Sequence, residues 1–123
     1  MINNIALAGC GNVGTALLEI LHEKKNELKE KYGFEYKVVL ISDLMKGIVM
    51  DPEGLDLEKI LNELHSRHSF GALAQAAGHF DELLDQSGAT VLAECTPTNL
   101  KTGEPGLSHL RAALSRGISV TTT

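Results

Sequence analysis

The chain has 123 residues, 43% hydrophobic and 22% charged, with a formal net charge of −5, the profile of one ordinary globular domain. The acidic balance, the lack of Trp and the scarcity of Tyr and Phe argue against a nucleic-acid surface, for which a basic patch interleaved with aromatics is needed. No apolar run approaches the roughly 20 residues that span a bilayer, and no basic stretch followed by an apolar one marks a secretory leader; the expectation is a cytoplasmic α/β domain with neither a nucleic-acid nor a membrane partner.

Ile2 with Ile5-Ala6-Leu7-Ala8 reads as a buried parallel strand. Gly9-Cys10-Gly11-Asn12-Val13-Gly14 follows, and then Val13, Leu17, Ile20, Leu21 and Leu28 recur at helical spacing. This pattern predicts one helix from about Asn12 to Tyr32, stopped by Gly33. A glycine triplet of this spacing at a strand-to-helix turn is the dinucleotide fingerprint, and each glycine has a separate mechanical task. Gly9 permits the tight turn, Gly11 lets a pyrophosphate approach the backbone, and Gly14 lets the helix lie close to the strand. The free N–H groups and the positive end of the helix dipole then face the phosphates.

Tyr36 to Asp43 has the unbroken apolar centre of a strand covered on both faces. Asp43 closes it, and an acid there accepts hydrogen bonds from ribose hydroxyls and repels the 2′-phosphate of NADP. It lies further past Gly14 than the usual spacing of about 20 residues, an excess explained by the long helix. Lys46 offers the opposite preference, so NAD or NADP remains open with a lean towards NAD. Residues 44 to 55, with Gly47, Pro52 and Gly54, read as a loop. A helix capped by Asp56 carries Leu57, Ile60, Leu61 and Leu64 on one stripe.

The stretch from His65 to Gly78 is rich in Ala and Gly, and a third strand is expected near it although none is visible. A short helix at about Asp81 to Gln86, a strand at Ala89 to Glu94, a helix opening near Glu104-Pro105 with Leu107, Leu110 and Leu114 inward, and a strand at Ile118 to Thr122 complete the chain. The fold class is therefore α/β, a Rossmann-like doubly wound parallel sheet with helices on both faces and about five strands. In such a sheet the ligand lies beyond the carboxyl ends of the strands. That places the Gly9 loop, Asp43 and Cys95-Thr96-Pro97-Thr98-Asn99 around one crevice.

Glu94-Cys95-Thr96-Pro97-Thr98-Asn99 and Thr102-Gly103-Glu104-Pro105, taken with the Gly9–Gly14 loop, resemble the amino-terminal half of the homoserine dehydrogenases. The segment Lys24 to Phe34, Ile41-Ser42-Asp43, Asp51-Pro52-Glu53-Gly54-Leu55-Asp56-Leu57 and Leu110-Arg111-Ala112-Ala113-Leu114 agree, whereas residues 65 to 80 match poorly. The resemblance implies an oxidoreductase that interconverts L-homoserine and L-aspartate 4-semialdehyde with NAD or NADP, in threonine and methionine biosynthesis. It implies that Gly9, Gly11, Asn12, Val13 and Gly14 hold the pyrophosphate, and that Thr96, Pro97, Thr98 and Thr122 line the nicotinamide end. The family continues past the last strand into Asn-Lys-Gly-Pro, whose lysine belongs to the active site, and then into a substrate and dimerisation domain. This chain stops at Thr123, so residues 1–123 are expected to form the cofactor domain alone, with no catalytic residue and no turnover. Homoserine and aspartate semialdehyde would then be partners only of the longer enzyme. A stand-alone nucleotide-binding or regulatory module, or the cofactor domain of another NAD(P)-dependent oxidoreductase, are the alternatives.

Three further features are weighed and set aside. Cys10 and Cys95 end neighbouring strands, and reduced thiols are expected over a disulfide in a reducing compartment. His65 and His68, at i and i+3, lack further ligands for a metal; His22, His79 and His109 stand singly, and Ser69 and Ser108 lack a triad context. An open edge strand after the fifth predicts association with another copy, though not through the family's own dimer surface.

Overall fold

The computed structural model describes residues 1–97 and 99–123. Its elements are β1 (Ile2–Ala8), α1 (Asn12–Glu23), α2 (Lys25–Tyr32), β2 (Glu35–Asp43), β3 (Gly47–Met50), α3 (Leu57–Arg67), α4 (Phe80–Ser87), β4 (Val91–Glu94), α5 (Gly106–Leu114) and β5 (Ser119–Thr122), with a single 3-10 turn at Gly71–Leu73. The strands form one sheet in the order β3-β2-β1-β4-β5. β1 runs parallel to β2 and β4, and β4 parallel to β5, while β3 is antiparallel to β2. The sheet is thus α/β and mostly parallel, with the chain passing from one side of β1 to the other between β2 and β4.

The strands are apolar because both faces are covered. One face packs Leu7, Val38 and Ile41 against Leu18, Leu21, Ile60 and Leu64 of α1 and α3. The other packs Ala6, Val39, Leu40 and Leu92 against Leu83 and Leu84 of α4 and Ala112 and Ala113 of α5. Each fully buried leucine stabilises the fold by about 1.5–3 kcal/mol relative to an exposed one. Among the described residues no helix is long and apolar enough to cross a membrane.

Four expectations change. The helix predicted from Asn12 to Tyr32 is two helices, broken at Lys24. The hydroxyl of Tyr36 donates to the Leu21 carbonyl at 2.7 Å, the acceptor that a continuous helix would offer to Lys25. α2 fully buries no side chain, and only Leu28 packs partly against the core, so little holds it on the α1 axis. The strand expected near residues 65–78 is instead β3, inside the stretch read as a loop. Residues 68–76 lie over it, with Phe70 fully buried and Ala76 N–H donating to the Ile48 carbonyl at 3.3 Å. The wholly parallel sheet therefore gains an antiparallel edge. Finally, α5 turns Ala112 and Ala113 inward, and Leu107 and Leu114 are exposed. Small side chains on that face let the helix lie close to β4, where bulky ones would hold it away.

Candidate functional site

Three loops meet at the carboxyl edge of the sheet. Cys95 N–H donates to the Ala8 carbonyl at 2.7 Å and Gly9 N–H to the Ser42 carbonyl at 2.8 Å, so the exits of β1, β2 and β4 are bonded side by side. The glycine loop leaves no room for side chains at two of its three positions. Gly9 has φ +87°, and a Cβ there would lie 2.7 Å from the backbone of Cys95 and Thr96. A Cβ on Gly14 would lie 2.4 Å from the Gly9 carbonyl oxygen. At Gly11 a Cβ would meet nothing within 4 Å; its lack of a side chain keeps open a space over the start of α1.

That space faces unused donors. Gly11 caps α1 without any side-chain hydrogen bond, and the first N–H to bond back is that of Thr15, to the Gly11 carbonyl at 2.9 Å. Asn12 and Val13 are exposed at the helix mouth, so the leading N–H groups and the positive dipole end point outward, with no partner among the described residues. The cradle fits a pyrophosphate in shape and in charge. Beside it lies an open crevice of about 500 Å³ bordered by Gly11, Asn12, Thr15, Lys46, His65 and His68.

Asp43 has a structural task at this edge. One of its oxygens accepts from Cys10 N–H at 2.7 Å and the other from Met45 and Lys46 N–H, each at 2.9 Å. It thereby ties the glycine loop to the β2–β3 turn. Partial burial pushes its carboxyl upward, but these backbone donors and the Lys46 ammonium outweigh that and hold it below the usual carboxylate range. Oδ1 is taken up by its two backbone donors, and a second lone pair remains on Oδ2 for a ribose hydroxyl.

On the β4 side, Glu94 is only 3% exposed. It accepts from the Thr96 N–H at 2.8 Å and from the Thr96 hydroxyl, and its other oxygen faces His109 Nδ1 at 2.6 Å. Thr96 therefore spends its O–H on Glu94 and offers a ligand only acceptor lone pairs. Pro97 is exposed at the rim, and Thr122 pairs in register with Glu94 across β4 and β5. Thr98 lies outside the described residues. The structure thus brings together Gly9, Gly11, Asn12, Val13, Gly14, Asp43, Thr96, Pro97 and Thr122 on one edge. Residue patterns pass over His109; the signal for it is an acid closing an otherwise apolar strand, followed by a histidine on the next helix.

The set-aside groups have structural employment. His65 on α3 meets Glu19 of α1 at 3.1 Å, and His68 caps α3 at φ +55°. Among the described residues no three His, Cys, Asp or Glu side chains are grouped as a metal would require. Cys10 and Cys95 are free, and burial raises both thiols.

No family model matches the chain. It is 38% identical over 124 residues to an NAD(+)-dependent homoserine dehydrogenase of Pseudomonas canavaninivorans, an alignment covering 97% of this chain and 34% of that protein. The homoserine dehydrogenase of Thermoplasma acidophilum superposes with a TM-score of 0.80 at 25% identity, over 99% of this chain and 35% of that one. The chain is a relative of the homoserine dehydrogenases. A hyperthermophilic archaeal homoserine dehydrogenase in complex with NADPH superposes with a TM-score of 0.78 at 26% identity, again over 99% of this chain and 35% of that one. The chain spans about a third of the length of the curated relatives it matches, less than the half that its motifs imply.

Proposed function

We propose that residues 1–123 form the NAD(P)-binding domain of a homoserine dehydrogenase, the enzyme that interconverts L-homoserine and L-aspartate 4-semialdehyde. The observation that carries this reading is the unfilled space over Gly11 in front of uncapped N–H groups, closed in by a Gly9 and a Gly14 that tolerate no side chain. The kinship with homoserine dehydrogenases over nearly the whole chain supports the substrate assignment.

In this reading Gly9, Gly11, Asn12, Val13 and Gly14 bind the pyrophosphate through backbone N–H groups and the α1 dipole. Asp43 fixes the loop and shares an oxygen with the adenosine ribose. Its charge disfavours a 2′-phosphate, which keeps the lean towards NAD, while Lys46 opposes it. Thr96, Pro97, Thr98 and Thr122 border the nicotinamide end. The bound dinucleotide supplies the hydride acceptor or donor. Substrate positioning and proton transfer need further groups. Among the described residues at that end, the hydroxyls of Thr96 and Thr122 are no bases near neutral pH, and most of the His109 ring is covered, between Glu94 and Phe80. The polypeptide 1–123 is accordingly a binding domain that turns nothing over by itself.

Calorimetric titration of the 123-residue chain with NAD and NADP tests the reading. Binding of either at micromolar to sub-millimolar concentration is the expected result, tighter for NAD, and it should disappear in Gly11→Val with the fold retained. Absence of binding up to several millimolar, or homoserine-dependent reduction of cofactor by this chain alone, would overturn the corresponding half of the proposal.

A further inference from the structure

Burying a carboxylate in place of an apolar residue at the end of an apolar strand does not by itself stabilise a fold, because desolvation offsets most of the attraction to its partners. Glu94 follows Val91, Leu92 and Ala93, and its neighbours in register are Ala8 on β1 and Thr122 on β5. What the carboxylate does there is hold two things that are otherwise unconnected. Through one oxygen it takes both donors of Thr96, in the loop after β4; through the other it takes His109, on α5. His109 is itself fixed from behind by the ring of Phe80 on α4, 4.3 Å away between centroids. With Glu94 ionised, Nδ1 must carry the proton that the 2.6 Å contact shares.

The electrostatics agree with the geometry. Burial pushes the Glu94 carboxyl up, but the hydrogen bonds from His109 and Thr96 outweigh it and hold the carboxyl below the usual range. The other titratable side chain against it is Cys95, whose thiol is kept neutral by burial and by Glu94 itself. Among the described residues His109 and Thr96 are therefore the side chains that donate to the Glu94 carboxylate.

We propose that Glu94 and His109 act as a positioning pair that holds the Thr96–Pro97 segment in the form that receives the nicotinamide half of the cofactor. The inference rests on the dinucleotide reading above and adds to it two residues that touch no ligand. Its consequence is selective. The pyrophosphate cradle is built by α1 and the glycine loop, and α1 packs on the opposite face of the sheet from α5 and His109, so loss of the pair should affect the nicotinamide half and spare the ADP-ribose half.

The test compares NADH with ADP-ribose, which lacks the nicotinamide, on the wild-type chain and on His109→Phe, His109→Asn and Glu94→Gln. Phe keeps the packing on Phe80 and removes the donor; Asn restores a donor near the position of Nδ1. His109→Phe should weaken NADH about tenfold and leave ADP-ribose within about twofold, and His109→Asn should recover most of the loss. On acidification from pH 7 to 5, NADH affinity relative to ADP-ribose should fall in His109→Phe, where Glu94 has lost its partner and takes a proton at higher pH. It should stay level in the wild type and in Glu94→Gln. Equal weakening of both ligands, or unchanged NADH binding in every variant, would overturn the inference. Should His109→Phe fail to fold by circular dichroism, Glu94→Gln decides, with a severalfold loss confined to NADH as the supporting result. A wild-type chain that binds neither ligand refutes the cofactor reading itself, a different outcome from wild-type binding that the variants do not alter.

Discussion

The loops after β1 and β4 leave neighbouring strands at the same edge, and each is tied down by one carboxylate, yet they solve the problem of shape in opposite ways. The glycine loop is shaped by subtraction: side chains are missing where backbone must touch backbone, and Asp43 merely pins the result from the surface. The Thr96 loop is shaped by addition, through a buried acid, a histidine and an aromatic ring arranged behind it. A loop of the first kind is intolerant of new atoms, and one of the second kind is intolerant of losing them.

The sharpest way to break this contrast is to add one methyl group at each glycine. Gly14→Ala places Cβ 2.4 Å from the Gly9 carbonyl oxygen, and Gly9→Ala combines φ +87° with contacts of 2.7 Å to the Cys95–Thr96 backbone. Each should destabilise the chain by about 3 kcal/mol or more, from overpacking together with backbone strain. Gly11→Ala meets no atom and should stay within about 1 kcal/mol of wild type. Urea unfolding of the three variants checks this, and a Gly9→Ala protein as stable as Gly11→Ala would remove the steric argument.

The two carboxylates are next in size. Glu94→Ala strands Thr96 and His109 in a buried site and should cost about 3 kcal/mol. Asp43→Ala, half-exposed and replaceable by water, should cost roughly 1 kcal/mol. Both carboxyls are held below their ordinary values in the folded chain, so the unfolded state takes up protons first as pH falls. Their contribution is therefore complete above the unfolded value of about 4 and is lost as pH drops through the folded values. Stability measured from pH 7 to 3 should decline less steeply in Asp43→Asn and Glu94→Gln than in wild type. Parallel curves would show that neither carboxyl is linked to folding.

The same contrast explains what could be read from residues alone. Subtraction is local: the three glycines lie within six positions between a strand and a helix, and their task follows from their order. The doubly covered strands were equally legible, because Val38 to Ile41 and Ala6 to Ala8 carry no polar interruption. Addition is not local. Glu94 and His109 meet only because α5 folds back over β4; the acid closing an apolar strand raises the question of a partner, and the fold alone says that the partner is His109. β3 escaped for lack of length, since four residues after the exposed Leu44 and Met45 show no periodicity. α5 misled because its leucine stripe is the conspicuous one, whereas close approach to the sheet selected the alanines.

The smallest effect lies at the outer end of the glycine loop, where the contrast predicts tolerance. Lys46 borders the crevice beside Gly11, and its ammonium acts on both Asp43 and Cys10 without a direct ion pair among the described residues. Lys46→Ala should leave stability unchanged and shift the ratio of NADP to NAD affinity downward by no more than about fivefold, the size of a screened surface charge. A surface lysine can be lost without disturbing Cys10, because the Asp43 hydrogen bond that places it comes from the backbone and not from the side chain at 46. A large change in affinity for both cofactors would mean that the loop's shape depends on Lys46 after all, and the division between a cradle built by omission and a loop built on a buried pair would have to be redrawn at this end of the site.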